Sequence, residues 1–240
     1  MIDNFYPGKF IVFEGLDGSG KATQVGLLTE QLEKENQKVR KIDFPRHGEG
    51  PAFFVDNYLN GKYGTAEEVG PYRGSIFYTL DRYDASFDIK KWLEQGEIII
   101  ADRYVASNIG HQGGKIKNRE ERKKYFNWLY DLEYNLFQIP KPNINFILKT
   151  SSELSSKMSN DITDKIKKER RESYLGDSGN QDIHEKDNAH LSATLESYLQ
   201  AVEEFPEEFK IIECIEDGKL LSIEEIHQRI WKIIKEELKI

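Results

Sequence analysis

One cysteine in 240 residues excludes an internal disulfide and any zinc site built on several thiolates. That usage suits a reducing compartment, and Cys214 is expected to do no more than pack in the core. No stretch approaches the ~18 consecutive apolar residues of a membrane helix. The opening Met1-Ile2-Asp3-Asn4 has neither the basic nor the apolar region of a signal peptide. The cytoplasm is therefore the expected location, with no membrane partner. Basic charge is also short: 34 Lys and Arg against 42 Asp and Glu leave −8, so the molecule as a whole repels nucleic-acid backbones. No nucleic acid is expected among its partners, and any phosphate ligand must be held locally by a few placed cations and glycine-rich turns.

What is present is enough for a core. Hydrophobic residues make up 38% and aromatic residues 12%, at a length that fits one large α/β domain over 1–240. Short apolar, β-branched runs recur at Phe10-Ile11-Val12-Phe13, Val39 to Phe44, Ile98 to Ala101, Ile144 to Leu148 and Phe209 to Ile215. Polar, helix-patterned segments separate them. This alternation predicts a three-layer α/β sandwich with a five-stranded parallel sheet flanked by helices. Apolar residues three or four apart in Trp92-Leu93, Trp128-Leu129-Leu132-Leu136 and Ile226-Ile230-Ile233-Ile234 predict one buried face on each of those helices. From about Ser151 to Asp187 the chain is polar and charged with few large apolar residues, which predicts a mobile lid over 151–187 rather than sheet core.

The first strand runs into Gly15-Leu16-Asp17-Gly18-Ser19-Gly20-Lys21, followed by helical spacing over residues 21 to 35. Seven of the eight positions of GxxxxGK[ST] match, in the strand–turn–helix context that the pattern requires. The glycines permit backbone angles that turn N–H groups inward, the helix directs its positive end at a phosphate, and Lys21 bridges β- and γ-phosphates. The eighth position is Ala22, so the hydroxyl that usually ligates Mg²⁺ is absent. Thr23 cannot take its place simply, because one residue along a helix turns a side chain by about 100°. Mg²⁺ needs only one or two carboxylates beside substrate phosphates, and Asp17, Asp102 and Glu185 are the candidates.

Two further strand ends carry charge. Ile98 to Ala101 leads directly into Asp102-Arg103-Tyr104, and Ile42-Asp43-Phe44 into Pro45-Arg46. Ligands of open α/β sheets bind at the carboxyl ends of strands, and a guanidinium fork suits two phosphate oxygens. A structural Asp–Arg pair and an exposed loop cation are the alternative readings. Tyr78 and Arg82, four apart in a helical region, share a face that could stack on a base and bond its edge, or simply be core. Within the expected lid, Lys165, Lys167, Lys168, Arg170 and Arg171 are either cations for a phosphoryl group in transit or a solvated helix face.

Taken in order, Phe13-Glu14-Gly15, Phe44-Pro45-Arg46, Asp81-Arg82, Asp102-Arg103-Tyr104-Val105-Ala106-Ser107-Asn108 and Asp182-Ile183-His184-Glu185 resemble thymidylate kinases over about three quarters of the chain. The resemblance implies transfer of the ATP γ-phosphoryl group to dTMP with Mg²⁺, in a homodimer formed through helices. It implies Asp17 near the sugar 3′ hydroxyl and the metal, and Arg46 and Arg103 near the acceptor phosphate. Tyr78 would stack on thymine, and Arg82 and Asn108 would read its edge. Phe44 and Ser107 belong to the same acceptor side, Asp182 and Glu185 lie by the metal or acceptor, and Arg170 or Arg171 acts from the lid. His47 and His111 stand where many relatives carry tyrosine. Neighbouring readings are a deoxynucleoside kinase or another monophosphate kinase, a catalytically weak nucleotide-binding regulator suggested by Ala22, and a nucleic-acid-dependent ATPase, which the acidic balance disfavours.

Overall fold

This computed structural model describes residues 6–160 and 188–238. The strands β1 (Lys9–Gly15), β2 (Val39–Asp43), β3 (Ile98–Asp102), β4 (Ile144–Lys149) and β5 (Phe209–Glu213) form one parallel sheet in the order β2-β3-β1-β4-β5. The helices are α1 (Lys21–Lys34), α2 (Phe53–Leu59), α3 (Ala66–Glu94), α4 (Val105–His111), α5 (Arg119–Tyr130), α6 (Ser152–Asn160), α7 (Asn188–Glu204) and α8 (Ile223–Leu238). None of them is long and apolar enough to cross a membrane.

Strand β1 is apolar from Phe10 to Phe13 because it is buried on both faces. Phe10 and Val12 join a core with residues of α3, α4, α5 and α7, including Ile89, Ile109, Phe126 and Tyr198. Ile11 and Phe13 point the other way, to Val25, Leu28 and Leu32 of α1 and Ile226, Ile230 and Ile234 of α8. Each such side chain contributes roughly 1.5–3 kcal/mol on burial, so three layers are stabilised from both faces of the sheet. Cys214 is a free thiol packed in the second core, and burial pushes it up to about 12.

The topology fixes where ligands can sit. From β1 the chain crosses to the far strand β2, whereas from β3 it passes back over β1 to β4. The crevice between the carboxyl ends of β1 and β3 is therefore a topological switch point. Helix α3 flanks it. Thr65 caps that helix in a reciprocal arrangement with Glu68, and the helix breaks at Gly70 (φ 73°) before Pro71, whose ring suits a first helical turn.

Two expectations need correction. The last apolar run is not one strand to Ile215: β5 stops at Glu213, and β6 (Ile215–Glu216) pairs antiparallel with β7 (Lys219–Leu220). Asp217 (φ 50°) and Gly218 (φ 73°) make the tight turn between them, the Asp-Gly signature of such hairpins. The second concerns Leu136, expected on a buried face with Leu129. Helix α5 gives way to a π-helix over Asp131–Leu136, which shifts the register so that Leu136 is 71% exposed and Glu133 is fully buried. The polar stretch 151–187 opens with the helix α6, whose Ser155 is buried. The rest of the expected lid, 161–187, lies outside the described residues, and so do Arg170, Arg171, Asp182 and Glu185.

Candidate active site

The phosphate loop joins β1 to α1. Gly15, Gly18 and Gly20 take φ of 139°, 80° and 89°, a region closed to most side chains. A Cβ at Gly15 would also stand 2.7 Å from the Leu148 carbonyl oxygen and 2.9 Å from Ser19 Oγ. Leu16 and Ser19 are buried within the turn. Lys21 is buried too, and its ammonium donates to the carbonyls of Leu16 (2.9 Å) and Gly15 (3.3 Å). Burial, helped by Arg103, lowers its pKa to about 8, while Asp102, Asp17 and Glu14 oppose that shift. Ala22 and Thr23 are exposed on the first turn of α1.

At the end of β3, Arg103 has φ 72°, an uncommon backbone state for a residue with a side chain. Its amide donates to Phe13 O at 2.9 Å, and its guanidinium is joined to the Asp17 carboxylate. Nη1 also reaches Gly15 O and Ser107 Oγ (both 3.3 Å) and His111 Nε2 (3.1 Å). A guanidinium only donates, so His111 accepts through Nε2. Partial burial works against ionisation of Asp17, but Arg103 and Lys21 outweigh it and hold the carboxyl below the usual carboxylate range. Asp102 sits in register with Phe13 of β1 and Asp43 of β2, with its carbonyl accepting from Phe44 N at 3.0 Å.

Glu14 explains how this turn is held. The carboxylate is fully buried and accepts from Tyr104 N (2.8 Å), Ser107 N (3.0 Å), Ser107 Oγ (2.6 Å) and Tyr198 OH (3.0 Å). Burial raises its pKa, against those bonds and the charge of Arg103. No motif gives Glu14 a task; an acidic residue inside an otherwise apolar strand is the signal that points to it.

Beside the loop opens a cleft of about 730 Å³. Asp17, Phe44, His47, Tyr78, Arg82, Arg103, Ser107, Asn108 and His111 line it, so residues expected from the sequence, in the phosphate loop, in the segments after β2 and β3, and on α3 and α4, meet around one space. Pro45 and Tyr104, quoted above within motifs but given no role, also line it, and so do Leu59 and Gln112, which no motif contains. Gln112 lies four residues beyond Asn108, a helical spacing that could have found it. His47 Nδ1 is 2.6 Å from Asp56 Oδ1. Asn108 Nδ2 donates to Ser75 O at 3.3 Å. Arg82 is buried and pairs with Glu133, which no sequence pattern had indicated.

Arg46 stands apart from that wall. Its guanidinium pairs with Asp81 (Nε to Oδ1, 2.8 Å) and Asp84 (Nη2 to Oδ2, 2.8 Å), and its amide donates to Asp81 Oδ2 at 2.9 Å. Among the described residues no three His, Cys, Asp or Glu side chains gather around one point.

Comparison with known proteins places the chain in a family. Residues 13–230 match the family model described as thymidylate kinase. Thymidylate kinase of Prochlorococcus marinus (strain NATL2A) is 31% identical over 215 residues, which are 85% of this chain and 96% of that protein. That of Plasmodium falciparum is 34% identical over 116 residues, spanning 48% of this chain and about half, 53%, of the relative. The solved structure of thymidylate kinase from Candida albicans superposes with a TM-score of 0.69 at 23% identity, covering 95% of this chain and 92% of the other, a likeness of fold. With a family match across nearly the whole chain and the phosphate loop and cleft meeting at the switch point of that fold, the chain belongs to the thymidylate kinase family.

Proposed function

We propose that this chain transfers the γ-phosphoryl group of ATP to dTMP, giving dTDP and ADP. The observation that carries the reading is the junction of Asp17 and Arg103, which links the phosphate loop to the cleft at the point where donor and acceptor must meet. An acceptor phosphate is already anionic and needs little base catalysis, so positioning and charge neutralisation supply the rate. Lys21 leaves its loop carbonyls for the β- and γ-phosphates. Arg103, fixed through Phe13 O and oriented by Asp17, faces the transferring group. Tyr78 offers a ring for the base, Arg82 and Asn108 read its edge, Phe44, His47, Ser107 and His111 shape the remaining wall, and Asp17 is positioned for the sugar hydroxyl.

Magnesium accompanies ATP in this reading. The carboxylates of Asp17 and Asp102 beside the loop suit a hard cation that keeps several waters, and Asp102 already acts electrostatically on Lys21. When bound, the ion would neutralise charge on the phosphates. Asp182, Glu185 and an arginine at 170 or 171 complete the site as proposed from the sequence. A homodimer is supported by one stripe on α3, where Tyr72, Ile76, Tyr83 and Phe87 are exposed at i, i+4, i+11 and i+15. The single buried thiol and the acidic surface favour a cytoplasmic enzyme acting on small nucleotides.

One observation favours a second reading. Because Arg46 is held by two aspartates, the acceptor side has fewer arginines for a phosphate, which suits an unphosphorylated acceptor such as thymidine. A coupled assay of ADP release with ATP and Mg²⁺, comparing dTMP, dUMP, dCMP, dGMP and thymidine, separates the two. Preference for dTMP is expected. Turnover with thymidine alone would establish the second reading, and ATP binding without turnover on any acceptor would indicate a regulatory binder.

A further inference from the structure

We infer that Glu133 is a positioning residue for base recognition, acting through Arg82. The inference rests on the acceptor reading above. Three observations converge on it. First, Arg82 lines the cleft and yet is 1% exposed, and its Nε (3.1 Å) and Nη2 both donate to a single oxygen, Glu133 Oε1. Thr79 Oγ1 donates to the same oxygen at 2.7 Å, and Arg82 Nη1 donates to Tyr104 O at 3.3 Å. Three of the five guanidinium N–H groups are then used. The Nε side of the fork is closed off by Glu133, and the opposite end is the part that can address a ligand.

Second, Glu133 reaches this place only because the chain takes a π-helix over Asp131–Leu136. Single π-turns are rare and frequent at functional sites. The same turn exposes Leu136, so apolar burial is given up where a carboxylate is brought inside. Third, Glu133 Oε2 is buried with no hydrogen-bond partner. A buried ion pair often contributes less stability than an apolar replacement, and one with a bare oxygen contributes still less. Stability is a poor reason for this arrangement; orientation of Arg82 is a sufficient one.

The consequence is chemical. A guanidinium held at a fixed angle presents donors only, so it favours a base whose edge carries a carbonyl acceptor and rejects one that places an exocyclic amino group there. Among pyrimidine monophosphates, thymine and uracil satisfy the fork at position 4 and cytosine does not. Without Glu133 the fork swings, and both affinity and discrimination fall.

The test uses the full chain and the variants Glu133→Gln, Glu133→Asp and Thr79→Val. The last removes one bond to Oε1 while keeping the charge pair. Steady-state kinetics with dTMP and dCMP, and calorimetric binding of each monophosphate, are measured alongside KM for ATP. Glu133→Gln is expected to raise KM for dTMP by about tenfold or more and to lower the dTMP to dCMP ratio of kcat/KM by a similar factor. The KM for ATP should stay within about twofold of its wild-type value, and kcat should fall less than KM rises. Glu133→Asp and Thr79→Val should give smaller shifts in the same direction, and they carry the test where Glu133→Gln does not fold. Folded variants that keep the wild-type KM and selectivity, even with a lowered Tm, would reduce Glu133 to a structural counter-ion and overturn the inference. If the wild-type chain binds dTMP without turning it over, the function reading fails while calorimetry still decides the role of Glu133. If it binds no pyrimidine monophosphate, both fall.

Discussion

Arg103 and Asp17 join the two strand ends that define the site: a guanidinium on a left-handed backbone after β3 meets a carboxylate of the phosphate loop after β1. The two residues lie 86 apart in sequence, and the uncommon φ of Arg103 is held by the hydrogen bond that its amide N–H donates to Phe13 O. Backbone strain of this kind costs on the order of 1–3 kcal/mol and persists where surrounding structure fixes it. Here Glu14 and the bonds it accepts from Tyr104 and Ser107 do the fixing.

Removing Asp17 as a charge tests that junction. Asp17→Asn should lower turnover by one to two orders of magnitude by loosening Arg103, an effect on the scale of a lost charge-positioning contact. The pH dependence follows from the depressed carboxyl pKa of Asp17. A depressed folded-state pKa contributes stability that is present above the unfolded value, about 4, and lost as pH falls toward the folded one. The Tm difference between wild type and Asp17→Asn should therefore be flat above about pH 5 and shrink below about pH 4. Thermal melts across pH 2–8 decide it, and a difference independent of pH would contradict the pairing.

Lys21 gives a second pH signature. With the pKa of its ammonium pushed down to about 8 by burial, it should take up a proton when ATP phosphates bind, because an opposite charge favours the charged form. Calorimetry of ATP binding near pH 8.5 in buffers of different ionisation heat should register that uptake, and affinity should fall as pH rises above about 8. Lys21→Met should lose the proton uptake and about 10²–10³-fold of turnover, with its far-ultraviolet spectrum unchanged.

The exposed Ala22 offers a gain of function. Ala22→Thr places a hydroxyl at the position that ligates the metal in the usual phosphate loop. Its effect is read from the Mg²⁺ concentration giving half-maximal turnover, expected to fall several-fold. No change would mean that the carboxylates and phosphates already complete the coordination.

Packing behind the site predicts a stability effect. A Cβ at Gly110 would lie 2.4 Å from ring atoms of Tyr198, whose hydroxyl donates to Glu14. Gly110→Ala should destabilise by roughly 1–3 kcal/mol through overpacking and, by shifting Tyr198, weaken the hold on the turn at Arg103. Denaturant melts read the first effect and turnover of the folded fraction the second.

The phosphate loop was legible in the sequence because it is local: three glycines, a lysine and the flanking strand and helix lie within Lys9–Lys34 and need no distant partner to be recognised. The parallel sheet was legible for the same reason, since strands buried on both faces carry short runs of apolar residues. The hairpin at Asp217-Gly218 carried its own signal, masked by the apolar run that precedes it. What only the tertiary structure decided are the pairings across long separations: Arg103 with Asp17 (86 residues), Glu14 with Tyr104 (90 residues) and Arg82 with Glu133 (51 residues). Periodicity placed Leu136 in the core and gave no reason to bury Glu133, because a π-turn changes the helical phase without a composition that announces it. Sequence determined which groups could hold a phosphate; the pairing of β1 beside β3 at the switch point decided which of them face each other.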